Sequence, residues 1–253
     1  MNPLLAVEGV GVRFGGLAAL TNVSFSVPAG TVCALIGPNG AGKSTLFNAI
    51  TGFVKPTSGT VRLADEVVTG LAPHMIAKRG VRRTFQNGGV FGGMTVLENV
   101  LVGLSQRTAG NMFGLMRGAK ADRAAERAAV DEALELLSTM HLGDLAQRPA
   151  RDLSAGQQRL VEIARALAGR TQLLMLDEPA VGLSESERHT LVRQLRAFAG
   201  QGIAVLLVEH VIDLVMSVSD NIVVLNNGEV IADGTPEHVR EHPAVLEAYL
   251  GHA

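Results

Sequence analysis

The chain has 253 residues, a formal net charge of −2 and 47% hydrophobic residues. That length suits one large α/β domain or two small ones with a full core, and so small a charge excludes the broad basic surface expected of a nucleic-acid partner. A single cysteine, Cys33, excludes an intrachain disulfide, and the longest apolar runs, such as Ile203 to Val208, fall far short of the ~20 residues that span a bilayer.

The start, Met1 to Ala6, lacks a basic segment followed by a long apolar stretch, so no signal peptide is expected. Residues 4 to 10 and 23 to 27 read as strands, with Phe14-Gly15-Gly16-Leu17 between them and a turn at Thr21-Asn22. Phe14 is either a core aromatic or a platform for a stacked base. Its flanking glycines, which leave a ring face open, favour the platform. The run Val32 to Ile36, where Cys33 reads as a buried strand residue, leads into Gly37-Pro38-Asn39-Gly40-Ala41-Gly42-Lys43-Ser44-Thr45, and Leu46 to Ile50 reads as the following helix. This is G-x-x-x-x-G-K-S between a strand and a helix, the context of a phosphate-binding loop. The glycines let backbone N–H groups approach a polyphosphate, Lys43 adds a positive charge, and Ser44 offers a hydroxyl to Mg²⁺.

Beyond Gly52 and the turn Pro56 to Gly59, residues 60 to 68 predict a further strand, Pro73 to Lys78 a short helix and Val81 to Gln86 extended chain. Gln86 stands at the mouth of the glycine-rich segment Asn87 to Gly93; alone it would be a surface residue. From about 95 to 152 the pattern is helical, opening on a capping box at Thr95 and Glu98. Met112, Phe113, Leu115 and Met116 read equally as core or as an exposed apolar patch. Residues 121 to 141 predict an amphipathic helix whose apolar face carries Val130, Leu134 and Leu137.

Leu153-Ser154-Ala155-Gly156-Gln157 opens another helix, with Ser154 as its N-cap. An ordinary capped helix accounts for it, and the same turn, small and glycine-bearing, is also a second anion-binding position. Leu173 to Leu176 is a buried-type strand ending in Asp177 and Glu178, which places two carboxylates where open α/β sheets bind ligands. Ser184 and Glu187 form another capping box. Ile203 to Val208 is a second buried strand and ends in Glu209-His210, aimed at the same edge. Ile222 to Leu225 and Glu229 to Ala232 form a hairpin about Asn226-Asn227-Gly228, and residues 236 to 250 predict one or two short helices.

Together the phosphate loop, Gln86, the Leu-Ser-x-Gly-Gln signature, the Asp177-Glu178 strand and His210 resemble the ATP-binding-cassette ATPases over the whole chain. The segments Phe14 to Leu17, Arg83 to Asn87, Met94 to Val100 and Glu247 to Gly251 further resemble the ATPase subunits of bacterial branched-chain amino-acid importers. The resemblance implies an α/β P-loop NTPase core with a mostly parallel sheet, an N-terminal antiparallel β part and a helical subdomain. The division expected within this single domain is 1–86 and 156–240 as core, 87–155 as helical, signature-bearing subdomain and 241–253 as tail.

It also implies a head-to-tail pair of cassettes, each ATP lying between one phosphate loop and the partner's Ser154, Ala155, Gly156 and Gln157. Residues 37 to 45 and Phe14 would hold ATP, Ser44, Gln86 and Asp177 would serve Mg²⁺, Glu178 would polarise the attacking water, His210 would contact the γ-phosphate, and Gln86 would sense the metal and the membrane partner. Implied partners are membrane permease subunits, a sister cassette rather than a second copy, and an external solute-binding protein; the implied location is the cytoplasmic membrane face. Lipid export, cluster assembly and a nucleotide-gated module with little turnover are the rival functions. Two departures stand out: Ser184 replaces the Asp common in the family, and Val211-Ile212 replaces its acidic continuation after the histidine.

Overall fold

The computed structural model describes residues 3–84, 89–108 and 120–250, the side chains of 105–108, 120–123 and 250 excepted. The elements begin with β1 (Leu5–Phe14), β2 (Leu17–Val27), β3 (Val32–Ile36), α1 (Lys43–Ile50), β4 (Ser58–Leu63), β5 (Glu66–Val67), α2 (Pro73–Lys78) and β6 (Val81–Arg83). Helices α3 (Val96–Thr108), α4 (Lys120–Thr139) and α5 (Ala155–Leu167) follow. Next come β7 (Leu173–Asp177), α6 (Glu185–Gly200), β8 (Ala204–Val208), α7 (Ile212–Val218), β9 (Asn221–Asn226), β10 (Glu229–Gly234), α8 (Pro236–Glu241) and α9 (Pro243–Leu250). Two compact units result. The first comprises Met1–Arg83, Gln172–Ala180 and Leu195–Ala253, and the second Thr84–Thr171 and Val181–Gln194.

In the first unit, β3, β7 and β8 are buried along their whole length and sit inside a six-stranded sheet of order β10-β9-β3-β8-β7-β6. The pairs from β9 to β6 are parallel and β10 joins the β9 edge antiparallel. Unbroken apolar runs are what such central strands need, because both faces are covered. A four-stranded antiparallel sheet, β2-β1-β4-β5, contributes Val7, Phe25 and Val27 to the same core as Leu35, Phe47 and Leu225.

Two expectations are corrected in this unit. Thr21-Asn22 is no turn: both residues lie inside β2, where the pairing with β1 shifts between Val10 and Val12 and Asn22 takes φ 51°. A short polar side chain tolerates that left-handed backbone, so the irregularity bends the strand without ending it. The stretch 60 to 68 is not one strand but the hairpin β4–β5, reversed at Ala64, φ 51°, and Asp65.

Cys33 is fully buried, and burial, with the Asp233 carboxylate adding to it, pushes the thiol up to about 12. At pH 8 its thiolate fraction is then on the order of 10⁻⁴, so labelling by a thiol reagent is expected to proceed only as fast as the native protein unfolds. Prompt labelling in proportion to reagent concentration, followed by intact mass, would contradict this burial.

In the second unit, Thr95 and Glu98 cap α3 reciprocally: the Thr95 N–H donates to Glu98 Oε2 at 2.7 Å and the Glu98 N–H to Thr95 Oγ1 at 3.1 Å. Helices α3 and α5 meet closely because Gly103 has no side chain; a Cβ there would stand 2.1 Å from the Arg165 carbonyl oxygen. On α4 the predicted apolar face is corrected. Leu137 is fully buried but Leu134 is 37% exposed, and the inward line runs Ala133, Leu137 and, one residue past the helix, Met140. Both lines have helical spacing, and the one bearing a small residue permits the closer approach between helices. Met112, Phe113, Leu115 and Met116 lie outside the described residues.

Candidate functional site

Parallel strands deliver their loops to one edge, and three of those loops carry chemistry here. After β3 the chain passes through Gly37 to Gly42 into α1, after β7 comes Glu178, and after β8 come Glu209 and His210. Such strand ends are where open α/β sheets bind ligands. They surround a cavity of about 580 Å³ within the first unit, lined by Phe14, Asn39 to Thr45, Asp177, Glu178 and His210 among others.

The loop is shaped to admit an anion. Gly40 takes φ 82°, and nothing lies within 4 Å of where its Cβ would be, so the backbone is open on that side. Lys43 is 7% exposed, and its ammonium donates to the Gly37 carbonyl at 2.7 Å and the Pro38 carbonyl at 2.8 Å. Burial lowers its pKa, while the Glu178 and Asp177 charges act in the opposite direction. A desolvated ammonium resting on neutral carbonyls gains by exchanging them for phosphate oxygens, since charge-assisted bonds are about twice as strong. Ser44, exposed, opens onto the same cavity, as does Thr45.

Asp177 ends β7 with 6% exposure. Its Oδ2 accepts from Arg83 at 3.3 Å, and Arg83 also donates to Asn48 Oδ1 at 2.7 Å and stands 5.4 Å above the Phe47 ring. The arginine thereby ties the carboxylate to the helix that begins at Lys43. Ser44 and Asp177 bring one hydroxyl and one carboxylate to the cavity, a sparse oxygen set that suits Mg²⁺, which takes phosphate oxygens and waters for its other positions.

Glu178 has φ 49°, a left-handed backbone that costs a non-glycine residue about 1–2 kcal/mol. Its N–H donates to the Val208 carbonyl at 2.9 Å, which anchors the strained residue to the end of β8. Glu178 Oε1 lies 3.2 Å from His210 Nε2. Phe14 is 52% exposed and Leu17 68%, so the core alternative for Phe14 fails and its ring stands at the cavity rim.

Residue-by-residue reading missed three contributors. Glu209 is 2% exposed; its Oε1 accepts from the Ala180 N–H at 2.6 Å and its Oε2 from the N–H groups of His210 at 2.8 Å and Val211 at 3.2 Å. One buried carboxylate thus joins the loop after Glu178 to the loop bearing His210. An acid next to a strand-end histidine was visible, but not its inward direction. Arg83 is the second. Asn227 is the third, lining the cavity from the β9–β10 turn. Gln86 lies outside the described residues.

The signature residues belong to the second unit. Ser154 caps α5, its Oγ accepting from the Gln157 N–H at 3.1 Å while Gln157 Oε1 accepts from the Ser154 N–H at 3.1 Å. Ser154 and Ala155 are exposed and Gly156 is buried.

A glycine-rich loop closing on Lys43 and Ser44, a strand-end acid pair and a separate capped signature turn define a cassette-type P-loop ATPase. Residues 20–181 match the family described as ABC transporter, and residues 229–253 that described as Branched-chain amino acid ATP-binding cassette transporter. The chain belongs to the ABC transporter family. It is 46% identical to the high-affinity branched-chain amino acid transport ATP-binding protein BraF of Pseudomonas aeruginosa and 44% identical to LivG of Escherichia coli, of the same description, each comparison covering 99% of both chains. The solved ADP conformation of an ATP-binding cassette of an ABC transporter superposes with a TM-score of 0.83 at 33% identity, covering 99% of this chain and 100% of that one. Membership makes this an ATP-binding subunit that hydrolyses ATP to power transport with membrane permease subunits. Among the described residues no helix is long and apolar enough to cross a membrane.

Proposed function

We propose that this chain drives import of branched-chain or related amino acids from the cytoplasmic face of a membrane, paired head to tail with a sister cassette and supplied by an external solute-binding protein. The observation that carries the reading is a cavity in the first unit that gathers Lys43, Ser44, Asp177, Glu178 and His210, with Ser154 exposed in the second unit. ATP enters with its base against Phe14 and its phosphates along residues 39 to 45. Lys43 releases the Gly37 and Pro38 carbonyls and takes phosphate oxygens. Ser44 and Asp177, with Gln86, would hold Mg²⁺, which supplies charge neutralisation between the phosphates when bound. Glu178 accepts a hydrogen bond from the attacking water, and His210, beside it, orients the carboxylate and faces the γ-phosphate. The sister's signature turn closes the pocket from the far side and excludes bulk water.

The relatives' names support amino acids as cargo, and the match at 229–253 supports the importer group over lipid export or cluster assembly. The test is recovery of the tagged chain from its own host's membranes. A second cassette and multi-span membrane proteins are expected to come with it, and deleting the chain is expected to abolish leucine uptake at micromolar supply. A chain recovered without membrane proteins, or uptake unaffected by deletion, overturns the proposal.

A further inference from the structure

The carboxylate assigned to the metal carries a built-in counter-charge. Arg83 ends β6, paired with Met175 two residues before that carboxylate in β7. The Arg83 and Asp177 side chains are each 9% exposed, and Asp177 Oδ2 accepts from Arg83 Nη2 at 3.3 Å. From its other arm, Nη1, the same guanidinium donates to Asn48 Oδ1 on α1 at 2.7 Å and to Thr51 Oγ1, at the C-cap of α1, at 3.2 Å. The Thr51 hydroxyl donates its own proton to the Phe47 carbonyl at 2.6 Å, so towards Arg83 it acts as an acceptor. The ring of Phe47, itself fully buried, lies 5.4 Å from the guanidinium carbon. Neutral groups of one helix thus fix where this cation sits, and the place they fix is against Asp177.

We infer that Arg83 is a positioning residue that tempers Asp177: it offsets part of the carboxylate's charge, so that Mg²⁺ is held loosely enough to leave with ADP after each turnover. This rests on the proposed reading in which Asp177 serves Mg²⁺. A guanidinium in contact lowers a carboxylate's affinity for a proton about 10- to 1,000-fold, and a divalent cation meets the same field. Mg²⁺ takes most of its ligands from phosphates and waters, so the charge on one carboxylate sets much of the protein's share in holding it. Arginine suits the task better than lysine, because its planar fork serves Asn48, Thr51 and Asp177 at once.

The test measures the dissociation constant of Mn²⁺, read by paramagnetic resonance in place of Mg²⁺, from the full chain saturated with ADP. Arg83→Gln keeps a donor and removes the charge, and the constant is expected to fall about tenfold or more. Arg83→Lys keeps the charge without the fork, and the constant is expected to stay within about threefold of the parent's. An unchanged or raised value in Arg83→Gln overturns the inference. Equal tightening in Arg83→Lys overturns it too, because the fork and not the charge would then be the cause. Since Arg83→Gln strips a buried carboxylate of its partner and lowers the Tm, Asn48→Asp gives a second reading with the arginine in place. There a second carboxylate draws on the same guanidinium, and the constant is expected to fall about twofold to fivefold. Where Arg83→Gln does not fold, an unchanged value in Asn48→Asp overturns the inference. Asp177→Asn separates this from the reading beneath it. If Asp177→Asn alone leaves the constant unchanged, the assignment of Asp177 to the metal fails. If Asp177→Asn weakens Mn²⁺ binding but Arg83→Gln does not tighten it, only the role of Arg83 fails. In the double variant the tightening from Arg83→Gln is expected to vanish, because the carboxylate that transmits it is gone; tightening of full size there overturns the inference as well.

Discussion

Glu178→Gln is expected to lower steady-state phosphate release by at least about a hundredfold while ATP still binds, and to prolong the ATP-bound cassette pair. A positioned general base contributes typically about 10²–10⁴ in rate, and the amide keeps the shape of the carboxylate without its basicity. Glu178 is the suitable group because its left-handed backbone, φ 49°, turns it out of the strand end, and the Val208 carbonyl and His210 hold it there. Asp177, one residue earlier, is buried and paired with Arg83. Phosphate release and retained nucleotide measured on one preparation decide the matter. Release at the parent rate would remove Glu178 from the reaction.

Glu209→Gln is expected to lower kcat about tenfold or more and leave the KM for ATP within about twofold. The carboxylate accepts from backbone N–H groups of the loop after Glu178 and of the loop bearing His210, and an amide can accept through only one of its two ends. Losing a hydrogen bond to a charged group costs about 1.5–3 kcal/mol, which in a chain of this size is roughly 3–12 °C in Tm. Stability alone does not distinguish positioning from packing; the split between kcat and KM does. Glu209 does not itself line the cavity and reaches it only through the backbone of His210, so a change confined to Tm would mean that the loops hold their geometry without it.

Most of the glycine-rich loop's contribution to the cavity is local in sequence. Gly37 to Thr45 is one continuous turn, and its shape follows from glycines and from the strand and helix on either side. The buried strands were equally legible, because a parallel strand covered on both faces must be an unbroken apolar run, as Leu173 to Leu176 and Ala204 to Val208 are. The caps at Thr95, Ser154 and Ser184 announced themselves by spacing alone.

What the sequence could not determine were the choices that depend on a distant neighbour. The buried line of α4 follows Ala133 and not Leu134, because the partner helices select the closest fit over the most hydrophobic stripe. Asn22 and Ala64 reverse expected roles, one continuing a strand and the other ending one, because cross-strand pairing decides whether a left-handed residue is a bulge or a turn. Glu209 and Arg83 are an ordinary acid and base in the linear chain. Tertiary structure alone brings Glu209 between the loops bearing Glu178 and His210 and Arg83 onto Asp177, and a charge acquires its role only from what it is folded against.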